Sequence, residues 1–480
     1  MLFRQITDPK LAQYAYLIGC QQTGEAIVID PERDIDRYLR LAAAEGLRIV
    51  GATETHIHAD FLSGVRELAE RGVRVYLSGD GDEDWQYRWP EAGGYDSVSL
   101  HDGDTFEIGN IRFEAAHTPG HTPEHMSFLV TDGGAGAAEP MGILSGDFVF
   151  VGALGRPDLL ETAAQVAGAM EPSARRLHAS VQRFLALPDF LQVWPGHGAG
   201  SACGKALGAV PESTVGYERR YSPALEAAGR GEEHFVSYIL EGQPEPPMYF
   251  ARMKRDNRDG PPLLGDLPEP RRVAPGELAA LDLEAAVVID TRADRSDFMA
   301  RHLARSLCVP LNGAFNTAAG SVITHEANDI YLVIDEPRLE EAVRDLVRIG
   351  LDRVVGYTTP SDLLRYFDDG GTSARIPETD FAGVCEVLAA EAGCVLDVRY
   401  ASEYQAGHVT GAVGAAYTRL PAYRDRIDRS RTQLVHCASG AREAVASSYL
   451  AREGYDVRYV NDAFTAYGGG IERARREIPV

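Results

Sequence analysis

The chain has few cysteines for its length, and none of them form a closely spaced pair. Six cysteines are spread over 480 residues without a Cys-x-x-Cys motif. So sparse a set excludes a dense disulfide framework, and in a chain this long it indicates reduced thiols. We therefore predict a cytoplasmic protein with free cysteines.

Basic residues are also scarce, and long apolar runs are missing. The chain has 47 Lys and Arg against 71 Asp and Glu, a formal net charge of −24. Nucleic acids and anionic membranes attract basic surfaces, so this balance argues against both as partners. No uninterrupted apolar run approaches the ~18 residues of a membrane span, and the first residues do not resemble a signal peptide.

Length and composition predict about three domains, at roughly 150 residues per domain. A hydrophobic content of 45% is sufficient for several cores. Proline and glycine concentrate between Gln243 and Pro270, as in a linker. We predict a first domain over residues 1–245, a linker over 246–270, and smaller domains over 271–372 and 373–480.

Strand-like and helix-like segments alternate throughout, which predicts the α/β class. In the first domain Arg48–Thr53 leads to His56, and Gly142–Ser145 leads to Asp147. Candidate ligands therefore follow strands, where an α/β scaffold holds loops rigidly.

The last two predicted domains form a weak internal repeat. Val287–Arg292 has the pattern of Cys394–Arg399, and Asp335 ends a strand-like run where Cys437 ends its counterpart. Strand–helix alternation in each copy predicts two small parallel-sheet domains. Only the second copy has a cysteine that can carry sulfur.

Histidines and aspartates cluster in three short motifs of the first domain. Thr55–Asp60 reads THIHAD, Thr118–His121 reads TPGH, and Ser145–Asp147 reads SGD. Imidazole and carboxylate groups bind zinc or iron, and two histidines with one carboxylate form the site of non-haem Fe(II) oxygenases. The chain supplies that set with His56, His121 and Asp147.

These motifs resemble the metallo-β-lactamase superfamily over roughly residues 1–245. The resemblance implies an αββα sandwich with metal ions at the sheet edges. Most hydrolytic members have a further histidine and bind two metals, whereas this chain has Phe61 at that position. The departure suits the persulfide dioxygenase branch, in which the equivalents of His56, His121 and Asp147 hold one iron ion.

The same resemblance implies supporting roles for neighbouring groups. His58 and Asp60 are expected to orient ligands or water molecules. His197, in a Trp-Pro-Gly-His-Gly segment, matches the last metal motif and is expected to support the ligands or line the substrate pocket.

Three further residues have competing interpretations. Arg156, in a Gly-Arg-Pro-Asp segment, resembles a pocket-shaping segment of persulfide dioxygenases, but an ordinary turn with a salt bridge is the alternative. His117 and His125 flank His121 and compete with it as candidate ligands.

The segment from Cys437 to Arg442, CASGAR, follows a predicted strand and precedes a predicted helix. Successive backbone N–H groups and a helix N-terminus favour an anion there, which lowers a thiol pKa and stabilises a persulfide. Arg442 adds a positive charge. We predict Cys437 and Arg442 as catalytic residues, with a buried inert cysteine as the alternative.

This loop, together with Asp397–Arg399 and Gly407–Ala412, resembles rhodanese sulfurtransferase domains. The upstream copy resembles an inactive rhodanese. Ala438 stands where many rhodaneses have arginine, so the preferred sulfur donor stays open. The whole order resembles bacterial persulfide dioxygenase–sulfurtransferase fusions, which implies that Cys203 is a catalytic thiol and Cys20 a possible one. The other cysteines are expected to be packing residues: Cys308, Cys385 and Cys394.

The sequence thus predicts an enzyme with two linked activities. One Fe(II) per chain, with zinc as the alternative, would oxidise a low-molecular-weight thiol persulfide with O2 to sulfite. Cys437 would then transfer sulfane sulfur to form thiosulfate. The alternatives are a zinc-dependent thioester hydrolase of the glyoxalase II type with a rhodanese tail, and a non-oxidative sulfur-relay protein. The thiol carrier and a possible homo-oligomeric state stay open.

Overall fold

The computed structural model describes residues 1–162, 168–205 and 207–473, except for the side chains of Leu160 and Thr162. The chain divides into two compact units. The first comprises Met1–Pro246 with Phe250–Gly265, and the second comprises Pro247–Tyr249 with Asp266–Val480. Much of the predicted linker therefore belongs to the first unit.

The first unit contains two six-stranded sheets, a two-stranded ribbon and nine described helices. Its strands are β1 Leu2–Asp8, β2 Gln13–Cys20, β3 Glu25–Ile29, β4 Arg48–Thr53, β5 Arg74–Ser78, β6 Ser97–Leu100, β7 Thr105–Ile108, β8 Ile111–His117, β9 Met126–Asp132, β10 Gly142–Gly146, β11 Val149–Phe150, β12 Ala153–Leu154, β13 Gln192–Pro195 and β14 Ser213–Thr214. Its helices are α1 Asp36–Ala44, α2 Val65–Glu70, α3 Trp89–Gly93, α4 Leu159–Thr162, α5 Met170–Leu185, α6 Val215–Tyr221, α7 Pro223–Gly229, α8 Glu232–Leu240 and α9 Phe250–Asp259. Short 3-10 turns occur at Glu83–Trp85 and Gly133–Ala135.

The two large sheets of this unit pack face to face, with helices on their outer faces. Their strand orders are β1-β2-β3-β4-β5-β6 and β14-β13-β10-β9-β8-β7. Strand β2 shows the layering, because successive side chains of a strand point to opposite faces. Its Ala15 and Leu17 pack with the helical residue Tyr38, whereas Tyr16 and Ile18 pack with the second sheet. The predicted αββα sandwich is confirmed.

The second unit contains two five-stranded parallel sheets and a small two-stranded ribbon. Its strands are β15 Arg271–Arg272, β16 Val287–Asp290, β17 Leu307–Cys308, β18 Ile330–Val333, β19 Val354–Thr358, β20 Glu378–Thr379, β21 Gly393–Asp397, β22 His408–Val409, β23 Val413–Gly414, β24 Thr432–His436, β25 Val457–Val460 and β26 Ile471–Glu472. Its helices are α10 Arg295–Ala300, α11 Phe315–Val322, α12 Leu339–Arg348, α13 Pro360–Asp368, α14 Phe381–Ala389, α15 Ala401–Ala406 and α16 Ala441–Arg452. Its 3-10 turns are Pro275–Ala280, Glu336–Arg338, Tyr417–Arg426 and Phe464–Ala466.

The two parallel sheets share one topology. Their strand orders are β15-β19-β18-β16-β17 and β20-β25-β24-β21-β23. When the strands of each sheet are counted along the chain, both orders are first, fifth, fourth, second and third. The internal repeat of the sequence is therefore also a repeat of structure. Within the described ranges, no helix combines the length and the apolar character needed to cross a membrane.

Candidate metal centre and thiol loop

The predicted ligands of the first unit lie in one buried cluster. His56 follows β4, His121 follows β8 and Asp147 follows β10, and their donor atoms all lie within 4.8 Å of one another. Asp147 Oδ2 is 3.8 Å from His56 Nε2 and 3.5 Å from His121 Nε2. The structure thus brings together the three residues that the motifs indicated.

The protonation of this cluster suits a bound cation. Burial raises the pKa of Asp147 to about 6 and lowers that of His121 to about 3, so both imidazole and carboxylate sit in a strongly desolvated environment. Neither carboxylate oxygen of Asp147 has a hydrogen-bond partner among the described residues. A buried carboxylate without partners is costly unless a charge compensates it. The donor set fits a divalent iron or zinc ion.

Hydrogen bonds fix the imidazole of His56 in the tautomer that a ligand needs. The Thr55 hydroxyl donates to Asp30 Oδ2 at 3.0 Å and lies 3.0 Å from His56 Nδ1. Because that hydroxyl has one proton, it accepts from His56 Nδ1–H, and the lone pair of Nε2 stays available. Sequence reasoning missed Asp30, although a carboxylate at a strand end before proline was a usable signal.

His121 is oriented in the same manner, and the two competing candidate ligands, His117 and His125, form other hydrogen bonds. His121 Nδ1 is 3.1 Å from the carbonyl oxygen of Arg156, which leaves Nε2 for a metal. His125 Nε2 accepts a hydrogen bond from the Asp147 backbone N–H at 3.1 Å. His117 Nε2 lies 2.8 Å from the carbonyl oxygen of Pro123. His125 therefore positions the loop that bears Asp147.

A second donor cluster lies beside the first. The donor atoms of Asp60, His197 and Cys203 are within 4.8 Å of one another, and all three residues are buried. His197 Nε2 is 3.3 Å from Asp60 Oδ2 and 3.6 Å from Asp147 Oδ1. Asp147 thus faces the first cluster with one oxygen and the second with the other.

The Cys203 thiol is the third donor of this cluster, whereas the sequence indicated it only as a catalytic thiol. Burial raises the pKa of Cys203 well above its ordinary value, and the carboxylates of Asp60 and Asp147 add to this shift. Phe61 at the position of a further histidine predicts a lost ligand and supporting roles for Asp60 and His197, whereas the structure places Asp60 and His197 in a second donor set. The six-residue spacing between His197 and Cys203 was the available signal.

Helix α9 fastens the loop that carries the first motif. The Asn257 side-chain amide donates to the carbonyl oxygens of His58 and Phe61 at 2.8 and 2.7 Å, and its oxygen accepts from Ser63 N–H at 2.9 Å. This helix lies within the stretch predicted as a linker.

Arg156 forms the salt bridge that was one of its two predicted roles. Its guanidinium contacts Asp158 at 2.5 and 2.8 Å, and it donates to the carbonyl oxygens of Ala202 and Pro244 at 3.2 and 2.5 Å. Arg156 thereby ties the loop before Cys203 to the segment that orients His121.

Cys20 does not join either donor cluster. It is buried at the end of β2. Desolvation acts to raise the pKa of the Cys20 thiol, but hydrogen bonds from Asn110 and Thr23 outweigh it and lower that pKa below its ordinary value.

Cys437 of the second unit follows β24 and is buried at the start of the predicted loop. Ser439 N–H donates to its Sγ at 3.4 Å, and Gly440, with φ of +107°, turns the chain into α16. The Arg442 guanidinium forms a two-point ion pair with Glu403 at 2.6 and 2.9 Å. Arg442 is therefore held at the rim of the loop by a carboxylate.

Glu443 was not singled out from the sequence. It is buried in the first turn of α16, and neither carboxylate oxygen has a hydrogen-bond partner within the described part of the chain. Burial raises the pKa of Glu443 to about 7, while the nearby Cys437 thiol acts in the opposite direction. An acidic residue in the first turn of a helix is common, which is why it gave no signal.

Two family profiles match the chain. Residues 8–197 match the metallo-beta-lactamase superfamily, and residues 386–469 match the rhodanese-like domain. A metallo-beta-lactamase from Staphylococcus aureus subsp. aureus COL, known from a 2.1 Å crystal structure, is 39% identical with a TM-score of 0.66, and the match covers 75% of this chain and 99% of that one.

Curated relatives match the first half of the chain. Persulfide dioxygenase ETHE1, mitochondrial, from Bos taurus is 28% identical over 231 residues, which is 47% of this chain and 76% of the relative. A beta-lactamase hydrolase-like protein from Xylella fastidiosa (strain 9a5c) is 28% identical over 254 residues, 48% of this chain and 53% of the relative. The chain belongs to the metallo-beta-lactamase superfamily, with the metal-binding fold in its N-terminal half and a rhodanese-like domain in its C-terminal half.

Proposed function

We propose that this chain is a persulfide dioxygenase joined to a sulfurtransferase. The observation that carries the proposal is the buried cluster of His56, His121 and Asp147, a two-histidine, one-carboxylate set with free carboxylate oxygens. The likeness to a persulfide dioxygenase supports it. We assign the oxidative half to residues 1–245 and sulfur transfer to residues 373–480, with 271–372 as a copy without a cysteine at the loop.

In the first half the protein's task is to hold ligands and exclude water. Iron(II) held by His56, His121 and Asp147 would supply the binding of a thiol persulfide and the activation of O2. Asp30, through Thr55, keeps His56 neutral with Nε2 available, and His125 holds the Asp147 loop. Overall, one persulfide, one O2 and one water give one thiol and one sulfurous acid, which ionises to sulfite.

In the second half Cys437 would carry the sulfane sulfur. Its thiolate attacks the terminal sulfur of the persulfide, a new S–S bond forms, and the donor S–S bond breaks to release the carrier thiolate. Sulfite then attacks the outer sulfur on Cys437, which gives thiosulfate and restores the thiolate. The Ser439 N–H and the N-terminus of α16 favour the anionic sulfur at both stages. The first step needs Cys437 as a reduced thiol, which supports our proposal of a cytoplasmic location.

One observation favours a second candidate, the zinc-dependent thioester hydrolase. Asp60, His197 and Cys203 form a second donor set, and Asp147 faces both sets. Thiolate sulfur is a preferred zinc ligand, and two metals sharing a carboxylate can activate water for hydrolysis.

Oxygen uptake tests the proposed function. Iron-loaded protein given glutathione persulfide is expected to consume O2 in an amount equal to the sulfite and thiosulfate formed together. If the protein is fully loaded with iron and consumes no O2, the proposed dioxygenase activity is excluded. Persulfidation of Cys437 under those conditions would then identify the chain as a sulfur relay.

A further inference from the structure

A buried carboxyl group lies beside the Cys437 loop. Glu443 is the third residue of α16, and its side chain is fully buried. A glutamate at the third position of a helix commonly reaches back toward the residues that precede the helix. Here those residues are the loop from Cys437 to Gly440. Glu443 is therefore placed to act on the sulfur atom that the loop holds.

The carboxyl group of Glu443 is not used as a helix cap. A capping glutamate accepts a backbone N–H from the residues before the helix. Neither carboxylate oxygen of Glu443 has a hydrogen-bond partner among the described residues, and the Ser439 N–H of the loop donates instead to Cys437 Sγ at 3.4 Å. A buried carboxylate without partners is costly unless it is protonated or compensated. Its oxygens are thus available to a proton.

Two arginines face Glu443. The guanidinium of Arg295, which belongs to α10 of the first copy, donates to the Ser439 carbonyl oxygen at 3.2 Å and so rests against the loop. Arg442 lies on α16 itself and is paired with Glu403 at 2.6 Å. The charges of both arginines favour the ionised form of Glu443. The carboxyl group can therefore ionise although it is buried.

A tyrosine and the thiol itself complete these surroundings. The Tyr459 hydroxyl, on β25, directs its proton to the Gly440 carbonyl oxygen at 3.0 Å or to Asn461 Oδ1 at 3.2 Å. Burial raises the pKa of Glu443 to about 7, and after burial the Cys437 thiol is the largest influence on that pKa. Glu443 can thus take up and release a proton near neutral pH, and the nearby group with a proton to exchange is the thiol.

We propose that Glu443 is the proton carrier of Cys437: it takes the thiol proton when Sγ attacks a sulfur donor and returns that proton when the sulfane sulfur leaves. The proposal rests on the proposed sulfur transfer at Cys437. Backbone N–H groups and arginines stabilise an anionic sulfur, but they cannot accept its proton. A group that titrates near the working pH is the most effective acid–base catalyst.

The two steps balance in protons and electrons. In loading, the Cys437 thiol proton moves to a carboxylate oxygen of Glu443 while an electron pair of Sγ forms a bond to the outer sulfur of the donor. The donor S–S bond breaks, and its electron pair leaves with the carrier thiolate. In unloading, an electron pair of sulfite forms a bond to the outer sulfur, and the Sγ–S bond breaks with its electron pair returning to Sγ. The carboxyl proton then moves back to Sγ, so no electrons are gained or lost overall.

The pH dependence of sulfur loading tests this role in the full chain. Glutathione persulfide is added without O2, and mass spectrometry of the Cys437 peptide gives the loading rate. The ratio of the wild-type rate to the Glu443→Gln rate is expected to be about 100 at pH 7, within the range of acid–base catalysis, and about 3 or less at pH 9, where solvent removes the thiol proton. Glu386→Gln, at an exposed position of α14, is the matched control and is expected to load as the wild type does. A ratio that is the same at both pH values would indicate a structural role and overturn the proposal.

Alkylation of Cys437 by iodoacetamide separates proton transfer from sulfur transfer, because this reagent consumes the thiolate and needs no sulfur donor. The ratio of wild-type to Glu443→Gln alkylation rates is expected to fall with rising pH in the same manner. If neither glutathione persulfide nor thiosulfate loads wild-type Cys437, the proposed sulfur transfer fails, and the alkylation ratio alone decides the role of Glu443. An alkylation ratio that does not change with pH would overturn that role.

Discussion

His58 Nε2 lies 3.1 Å from Asp30 Oδ1, and both residues are buried. Burial acts to lower the pKa of His58, but the Asp30 carboxylate outweighs it and raises that pKa to about 9. This shift favours the protonated imidazole of His58, and a doubly protonated imidazole has no lone pair for a metal. The second histidine of the His-x-His motif thus stabilises Asp30, which in turn fixes Thr55 and, through it, His56.

The Asp30 contact predicts a loss of iron affinity when its charge is removed. We expect Asp30→Asn to weaken iron binding by about 10- to 100-fold, because residues that orient metal ligands typically have effects of that size. Competition with a chromogenic chelator measures the affinity. Asp96→Asn is the matched control, since Asp96 is exposed and, among the described residues, forms its ion pair with Arg74. Equal affinity in wild type and Asp30→Asn would show that His56 is oriented without Asp30.

The two half-reactions are predicted to be separable. Cys437→Ser should abolish sulfur transfer and leave O2 uptake within about twofold, because the serine hydroxyl cannot hold a sulfane sulfur. Asp147→Ala should empty the metal site and stop O2 uptake while Cys437 still accepts sulfur. Oxygen electrode and persulfide mass spectrometry give the two readings. If Cys437→Ser also stops O2 uptake, the reactions are coupled more tightly than proposed.

The Cys203→Ser variant shows whether Cys203 is a catalytic thiol or a metal ligand. We expect Cys203→Ser to retain one iron per chain and to lose persulfide turnover, by about tenfold or more. Cys394→Ser serves as the control. It replaces a thiol that donates a hydrogen bond to Gln433 Oε1 at 3.2 Å. A drop from two metal ions to one in Cys203→Ser, measured by elemental analysis, would instead make Cys203 a ligand of a second metal.

We predict that the buried Glu443 carboxyl makes the free energy of unfolding depend on pH. Its pKa is raised to about 7 by burial, so the folded protein binds more protons than the unfolded chain between about pH 4.5 and 7. Stability must therefore fall as the pH rises through that range. We expect the wild type to lose on the order of 1–3 kcal/mol more than Glu443→Gln between pH 5 and pH 8. Denaturant unfolding at both pH values measures this, and parallel losses would show that Glu443 is not desolvated.

The grouping of His56, His121 and Asp147 was predictable because each residue is marked by a short stretch of neighbouring sequence. His56, His121 and Asp147 each sit in a short motif after a strand, and such motifs keep their meaning without knowledge of the fold. Asp30 and Cys203 act on the cluster from distant parts of the sequence, so only the folded chain shows their roles.

Helix α9 was missed for a different reason. Only Phe250, Met253 and Asn257 of this helix are buried, and most of its other residues are charged. So narrow an apolar stripe, between proline- and glycine-rich segments, is typical of a linker. Its hydrogen bonds to the loop of the first motif come from one amide, that of Asn257, which no periodicity can reveal.

Arg295 shows the same limit in the second unit. The repeat and the loop motif placed Cys437 directly after a strand, and the structure has it directly after β24, whereas the other copy has Asp335 at that position. The arginine that rests on the loop comes from the other copy, 142 positions before Cys437, and has no motif of its own.

Elemental analysis of the purified full chain, combined with O2 uptake on glutathione persulfide, tests the mononuclear oxidative site most directly. We predict one iron per chain and one O2 consumed for each molecule of sulfite or thiosulfate formed. Two zinc ions per chain, with thioester cleavage and no O2 consumption, would contradict it.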